Sequence, residues 1–232
     1  MKLGIMQPYF FPYLGYWQLI NAVDKFVLLD DVNFIMRGYI NRNSILVNRK
    51  AHLFTIPLEK PSQNKLINET KLRFNEKEKE NFLKTLTLAY KKAPFYNAVF
   101  PIMQDIINNK ENDLTLFLKY SFEKAKDYLN IDSDILLSSE IKKDNSLHAQ
   151  DRIIAINKTL GADLYINAIG GQKLYDRESF RRENIELKFI KMHEIKYTQF
   201  KNDFVPNLSM IDIMMFNSPK KIKEMLNDYE LI

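Results

Sequence analysis

The feature that most constrains the fold is the first 32 residues, in which two short apolar runs flank a segment with helical spacing. Lys2 to Met6 is predicted to be a buried strand, Gly15 to Val23 an amphipathic helix, and Lys25 to Leu29 a second strand. This is the length of one βαβ unit, whose right-handed crossover places both strands in a parallel sheet. Because ligands of open parallel sheets bind beyond the carboxyl ends of the strands, residues 7–16 are predicted to line an active site.

The loop after the first strand is rich in aromatic residues. Phe10 and Phe11 are expected to close one end of the core, because exposed loops seldom carry so many aromatic rings without packing partners. Gln7, Tyr13 and Tyr16 have polar tips, and the sequence is equally compatible with packing and with ligand contact at these positions.

The composition favours a globular protein. The chain has 232 residues, of which 46% are hydrophobic, enough for one large domain with its own core. No apolar run is long enough to span a membrane and no signal-peptide pattern is present, so we expect a cytoplasmic location. The absence of cysteine excludes disulfides and thiolate chemistry. The net charge of +5 suits an anionic substrate, but since Lys alternates with Glu and Asp through most of the chain, nucleic-acid binding is not expected.

The middle of the chain predicts two departures from strand–helix alternation. Residues 39–58 alternate apolar and polar side chains around a turn at 48–50, which is typical of a hairpin. Three consecutive helices are predicted over about 75–130, the first with Asn75 and Glu78 as a capping box. We interpret these helices as an insertion in a single α/β domain that covers residues 1–232.

Alternation then resumes toward the C-terminus. Strands are predicted at 134–138, 164–167 and 185–191, with Gly161 ending the helix between the first two. Asn207 is predicted to cap a last helix over residues 208–216.

Arg42 lies close to the end of the second strand, between Asn41 and Asn43. Together with Arg37 shortly before it, it offers two guanidinium groups flanked by amides, which would bind a phosphate or carboxylate well. In the alternative interpretation Arg42 pairs with Asp30 or Asp31 and the Asn side chains serve turns. The sequence does not decide between the two.

Gly170 and Gly171 directly follow a predicted strand, with Tyr175 shortly after them. Such a pair lets the backbone turn with positive φ and approach a ligand closely. The phosphate-binding P-loop pattern is absent. We expect this segment at the same sheet edge as residues 7–16.

His193 directly follows the last predicted parallel strand, which makes it the best candidate for a general base. Tyr197 and Gln199 come shortly after it. Ser209 and Asp212 are predicted on one face of the last helix, from which Asp212 could orient His193, although Asp in a first turn often only favours the helix dipole.

The sequence predicts neither a metal nor another cofactor. His52 in the hairpin and His148 at a helix start are expected to be structural. Since no HxxxH motif or three-ligand cluster is present, a catalytic zinc is not expected.

Four stretches together resemble the WbqC-like protein family. They are IMQPYFFPYLGYWQLI (5–20), NRNSI (41–45), YINAIGGQKLYD (165–176), and the C-terminal segment 193–217 with its FVPNLSMIDIMMFN run. The resemblance implies a component of bacterial surface-polysaccharide (O-antigen) gene clusters, with a proposed role in transferring glycine or a similar acyl group to an amino sugar. It implies functional residues at Gln7, Pro8, Tyr13, Gly15, Tyr16, Asn41, Arg42, Asn43, Gly170, Gly171, Tyr175, His193, Tyr197, Gln199, Ser209 and Asp212.

The opening strand and the Tyr13-Leu14-Gly15-Tyr16 run are also similar to the HxGH loop of nucleotidylyltransferases and pantothenate synthetases. Here tyrosines stand in place of both histidines. Tyrosine donates a hydrogen bond but carries no positive charge at neutral pH, so nucleotide binding is expected to survive better than adenylyl transfer. The fold class expected is therefore α/β, a mostly parallel open sheet that is Rossmann-like or nucleotidylyltransferase-like, with a hairpin and a helical insertion.

The leading functional hypothesis is a transferase acting on a nucleotide-activated or lipid-linked amino sugar. His193 would remove a proton from the amine, Arg42 and the Gly170–Gly171 backbone would hold phosphate or carboxylate, and Tyr13, Tyr16 and Trp17 would stack on the sugar or base. The alternatives are ATP-dependent nucleotidyl transfer or amide ligation, and a non-catalytic binding protein of the same pathway.

Overall fold

A computed structural model describes residues 1–201 and 203–232 of the chain. The strands are β1 (Lys2–Met6), β2 (Lys25–Leu28), β3 (Arg42–Val47), β4 (Lys50–Thr55), β5 (Leu58–Glu59), β6 (Lys71–Leu72), β7 (Asp134–Leu137), β8 (Leu164–Ala168), β9 (Glu186–Met192) and β10 (Tyr229–Leu231). The helices are α1 (Leu14–Asn21), α2 (Glu76–Tyr90), α3 (Tyr96–Ile107), α4 (Leu114–Leu129), α5 (Ala149–Leu160), α6 (Arg177–Arg182), α7 (Met210–Phe216) and α8 (Pro219–Leu226).

A six-stranded sheet organises the molecule, with strand order β10-β9-β8-β1-β2-β7. Five of these strands are parallel, and only β10 runs antiparallel, against β9. The predictions of an α/β fold and a mostly parallel sheet are confirmed. From β1 the chain moves through β2 to β7 on one side, and then crosses to β8 and β9 on the other. The order of connection therefore reverses between β1 and β8.

Both faces of the sheet are covered, as the alternation of side chains along a strand requires. Leu3, Ile5 and Tyr165 pack with α5 and α6 on one face. Phe26 and Ile166 belong to a larger core on the other face, built with α1, α4, α7 and α8. A fully buried Gln18 in α1 donates to the carbonyl oxygens of residues 225 and 228, which fixes the C-terminal end of the chain against this second face.

The hairpin and the three consecutive helices are present where the sequence predicts them. Strands β3 and β4 pair antiparallel, and the turn residues Asn48 and Arg49 both have positive φ. Helix α2 begins with the predicted capping box of Asn75 and Glu78. Gly161 ends α5 in the left-handed conformation. None of the helices in the described part of the chain is long and apolar enough to cross a membrane.

The predicted start of the helix over residues 208–216 is wrong by two residues. Helix α7 is capped by Ser209, whose Oγ accepts from the backbone N–H of Ile211. Asn207 instead has a φ of 57°, outside the helix. An N-cap residue needs an extended backbone, which a left-handed Asn207 does not have, so the next polar side chain, Ser209, caps the helix.

Candidate functional site

The loops that could build a site all leave the carboxyl edge of the sheet. Residues 7–13 follow β1, residues 169–176 follow β8, and residues 193–207 follow β9. Because β1 and β8 are parallel neighbours with Gly4 opposite Ile166, Gln7 and Ile169 leave the sheet side by side. This is the point where the strand order reverses, at which open α/β sheets bind their ligands.

The aromatic loop after β1 is mostly part of the core. Phe10 and Phe11 are buried, and Phe10 stacks on Phe117 with ring centroids 5.6 Å apart, which confirms the prediction for this pair. Tyr16 is only 2% exposed and Trp17 is also buried, so the expected stacking of these two rings on a sugar or base is wrong. Both residues lie on the face of α1 that packs against the core, where the whole ring is buried.

The polar tips of the loop are divided between structure and solvent. The Tyr16 hydroxyl donates to the Gln7 carbonyl at 2.7 Å, which fixes the bend after β1. Tyr13, at 40% exposure, presents its ring beside the start of α1. A Cβ at Gly15 would lie 2.7 Å from Tyr13 Cε2, so the glycine makes room for that ring.

Three polar residues of the predicted site hold the loops together. The buried amide of Asn43 donates to the carbonyl oxygens of Phe10 and Phe11, at 3.2 and 2.6 Å. Ser209 Oγ donates to the same Phe11 oxygen at 2.8 Å. Asn41 donates to the Ile56 carbonyl and closes the base of the hairpin. Asn43 and Ser209 therefore hold the loop after β1, whereas Asn41 holds the hairpin.

A cavity of about 510 Å³ opens beside Tyr13, between the start of α1 and the segment after β9. This is within the usual size range of small-molecule sites. Its wall combines apolar side chains with a few polar ones, among them Tyr13, Glu194, Lys196, Tyr197 and Asn207. The structure thus brings Tyr13 and Tyr197 together from opposite ends of the chain. Lys196, which the sequence analysis did not select, supplies the cation.

Asp212 lies directly behind this wall and is completely buried. Its carboxylate accepts hydrogen bonds from Tyr90 and Tyr197, both at 2.7 Å, and from Gln199 at 2.8 Å. Burial raises the pKa of Asp212 above its usual range, and these three hydrogen bonds offset part of the rise. Burial also raises the pKa of Tyr197, followed by the effect of the nearby Asp212 charge, so the phenol remains a hydrogen-bond donor.

The predicted orientation of His193 by Asp212 is wrong. His193 Nδ1 lies 2.7 Å from Oδ1 of Asp228, the residue just before β10, and about half of the His193 side chain is exposed. Its chain neighbours Met192 and Glu194 line the cavity, but His193 is not among the described lining residues. The antiparallel return of β10 along β9 gives the histidine a different carboxylate partner, and the sequence offered no signal for that pairing.

The double glycine lies at the predicted edge but without the predicted backbone conformation. Gly170 and Gly171 are part of a short 3-10 helix over Ile169–Lys173, and neither has positive φ. Gly171 is needed for space, because a Cβ there would lie 2.6 Å from Asn167 Oδ1. Tyr175 packs edge-on against the buried Tyr165, at 5.8 Å between centroids.

Arg42 pairs with neither Asp30 nor Asp31, so that alternative is wrong. Its Nε donates to the Gly38 carbonyl at 2.8 Å. Asp30 accepts from the backbone N–H and hydroxyl of Ser139. Asp31 lies 2.6 Å from both Lys143 and Arg152. Arg42 is also absent from the described cavity wall beside Tyr13.

A second, more polar cavity of about 750 Å³ lies at the carboxyl ends of β2 and β7. Asp31, Ser139, His148 and Arg152 line it, the last two near the start of α5. Burial raises the pKa of Asp31, but hydrogen bonds and charges from Lys143, Ser138 and Arg152 outweigh it and leave the pKa lowered. The adjacent Asp30 and Asp31 after a strand were the available signal for this cavity. Among the residues with described positions, no group of three or more acidic, His or Cys side chains could hold a metal ion.

Comparison with known proteins supports one assignment. Residues 7–224 match the WbqC-like protein family. The chain is 22% identical over 216 residues to "Uncharacterized protein Rv1507c" of Mycobacterium tuberculosis, an alignment that covers 92% of each chain. No solved structure matches the chain. With nearly all of its length matched, this chain belongs to the WbqC-like protein family.

Proposed function

We propose that the protein is a transferase of bacterial surface-polysaccharide (O-antigen) biosynthesis, which adds glycine or a similar acyl group to a nucleotide-activated or lipid-linked amino sugar. The observation that carries the proposal is the cavity beside Tyr13, at the carboxyl edge of a mostly parallel sheet, with aromatic, cationic and hydrogen-bonding side chains in its wall. Membership in the WbqC-like family supports the same pathway.

The wall offers a separate contact for each part of such a substrate. The exposed ring of Tyr13 can stack on a sugar or base and its hydroxyl can donate. Lys196 can pair with a phosphate. Its present partner is Glu194 at 2.7 Å, and because this ion pair is exposed, replacing it by a pair with phosphate costs little free energy. Lys196 thereby takes the role that the sequence analysis gave to Arg42.

The reaction needs an activated acyl donor. The sugar amine forms an amide bond to the acyl carbon, the bond from that carbon to the donor's leaving group breaks, and the amine proton is released. His193 is held by Asp228 away from the described cavity wall, so we assign the proton to solvent at the open mouth rather than to His193.

The test is thermal unfolding with a UDP-linked amino sugar. At ligand about 100-fold above Kd we expect a stabilisation of about 2.7 kcal/mol, which raises Tm by several degrees. Lys196→Ala should weaken binding about tenfold, as expected for loss of a charge-assisted hydrogen bond. Lys191→Ala removes another exposed, ion-paired lysine on β9 outside the described wall and should bind as wild type. Equal binding by both variants would contradict the proposal.

The strand order favours a second candidate, ATP-dependent nucleotidyl transfer or amide ligation. Counted along the chain, the parallel strands follow the order 3-2-1-4-5 of doubly wound nucleotide-binding sheets, and the loop after β1 leads into α1 as in nucleotidylyltransferases. Against adenylyl transfer, the buried Tyr16 hydroxyl is already bound to Gln7. A thermal shift with ATP and none with the UDP-linked sugar would favour this candidate.

A further inference from the structure

Residues 32–58, which begin just after Asp31, differ from the rest of the chain in their charge. Residues 32–58 hold four of the 34 Lys and Arg residues and none of the 29 Asp and Glu residues, so they account for four of the five net positive charges. Elsewhere the two signs are nearly balanced. This segment is the β3–β4 hairpin with the loop that leads into it.

The same segment exposes large apolar side chains. Ile35, Met36, Tyr39 and Leu53 are each between 45 and 55% exposed. Core packing does not explain them, since the hairpin turns Ile45 and Phe54 inward. An exposed apolar patch rimmed by polar residues marks an interaction site, and an excess of positive charge beside it attracts an anionic partner.

Hydrogen bonds of the turn and the register of the hairpin relate these side chains to one another. Residues 35–38 form a β-turn in which the Gly38 N–H donates to the Ile35 carbonyl at 3.1 Å. Arg42 Nε donates to the Gly38 carbonyl, and its guanidinium lies 5.9 Å from the centre of the Tyr39 ring. Leu53 is on the same face of the hairpin as Arg42, because it pairs with Ser44, two residues along β3.

The tip of this turn is strained. Arg37 has a φ of 61° at the third position of the turn, where glycine or asparagine is normally found. A non-glycine residue in this region costs stability that the surrounding structure must offset. Here the strain places an arginine beside an exposed methionine at the outermost point of the loop.

We propose that Ile35, Met36, Arg37, Tyr39, Arg42 and Leu53, which we call the hairpin surface, bind the surface of a membrane that contains anionic phospholipids. Arginine pairs with lipid phosphates, Ile and Met enter the boundary of the acyl chains, and Tyr lies at the headgroup level, as at other membrane interfaces. Charge complementarity selects an anionic lipid layer over a neutral one. This inference does not depend on the proposed transferase activity.

The test is sedimentation of the full chain with vesicles of phosphatidylcholine, with and without phosphatidylglycerol. We expect binding to the anionic vesicles only, weaker as salt is raised. Met36→Ser with Arg37→Glu should reduce the partition coefficient at least about tenfold. The control is Leu88→Ser with Lys92→Glu, which changes an apolar and a basic residue that are both exposed, in and just after α2, and should bind as wild type.

A third variant separates binding from folding. Arg37→Gly relieves the positive φ, so Tm should stay the same or rise while anionic-vesicle binding falls about fivefold for the lost charge. Absence of binding to anionic vesicles at low salt, equal binding to neutral vesicles, or full binding by the Met36/Arg37 variant would overturn the proposal. So would a dimer that dissociates in that variant, because the hairpin surface would then be a subunit interface.

Discussion

Asp212 is a buried carboxylate with three side-chain hydrogen-bond donors around it. It is completely buried in α7 and receives hydrogen bonds from Tyr90 of α2 and from Tyr197 and Gln199 of the segment after β9. Tyr90 in turn accepts from the backbone N–H of Leu46 in the hairpin. One carboxylate therefore connects three parts of the chain and fixes Tyr197, which lines the cavity beside Tyr13.

Replacing this carboxylate should be costly. In Asp212→Asn, an amide NH2 faces donors, so at least one buried hydrogen bond is lost, with destabilisation of about 1–3 kcal/mol by denaturant unfolding. Asp105→Asn is the matched control, since Asp105 also accepts from a tyrosine, Tyr120, but at the exposed surface. Equal effects of the two substitutions would show that the buried network contributes no more to the free energy of unfolding than an exposed hydrogen bond does.

The same carboxylate gives a pH dependence with a definite sign. Burial raises its pKa in the folded state. A raised folded pKa means that the folded protein binds the proton more tightly than the unfolded chain does. Protonation of Asp212 therefore stabilises the fold, and this contribution is present below the unfolded pKa and lost as pH rises through the folded pKa. The free-energy difference between wild type and Asp212→Asn should therefore be larger near about pH 4 than at about pH 7. Unfolding curves at both pH values check this, and a difference that grows toward neutral pH would contradict it.

At the scale of elements, the turn after β8 depends on space rather than on backbone conformation. The Asn167 side chain, which donates to the Tyr165 hydroxyl, lies against Gly171 and has little freedom to move. Gly171→Ala should therefore destabilise the fold by about 1–3 kcal/mol, as overpacking does. Gly170→Ala is the internal control, since nothing lies within 4 Å of its added Cβ and its φ is negative, so its effect should stay within about 0.5 kcal/mol. A thermal unfolding series distinguishes them, and the reverse order would refute this explanation.

The loop after β1 is fixed by two other elements acting on one atom. Asn43 of β3 and Ser209 at the start of α7 both donate to the Phe11 carbonyl. In a double-mutant cycle, Asn43→Ala and Ser209→Ala should show a coupling of about 0.5 kcal/mol or more, because they share an acceptor. Ser218→Ala removes the cap of α8 instead and should add to Asn43→Ala without coupling. Additive effects in both cycles would mean that the shared acceptor is unimportant.

At the scale of the whole molecule, the parts that could be predicted from sequence are those that local pattern determines. Apolar runs and caps predicted the parallel strands, the hairpin and the three consecutive helices, because periodicity and capping act within a few residues. The partners of His193 and Arg42 could not be predicted in this way. The partner of His193 is Asp228, which only the distant return of β10 brings close. The partner of Arg42 is the Gly38 carbonyl, a backbone group that is not visible in a side-chain pattern.

Burial explains the remaining differences in the candidate site. Tyr13 and Tyr16 are three residues apart and look alike in sequence, but one ring is exposed and the other is in the core. The direction of α1 against the sheet decides this, and a helical period alone does not say which polar-tipped aromatic residue faces outward. Lys196 was not predicted for a different reason, because it is one lysine among many in a sequence of mixed charge.

The most direct test of the functional account is a crystal structure of the protein soaked with UDP-linked amino sugars. We expect ligand density in the cavity beside Tyr13, with the sugar or base on the Tyr13 ring and a phosphate near Lys196. Density only in the polar cavity against Asp31 and Arg152 would contradict it and move the site to the other half of the sheet.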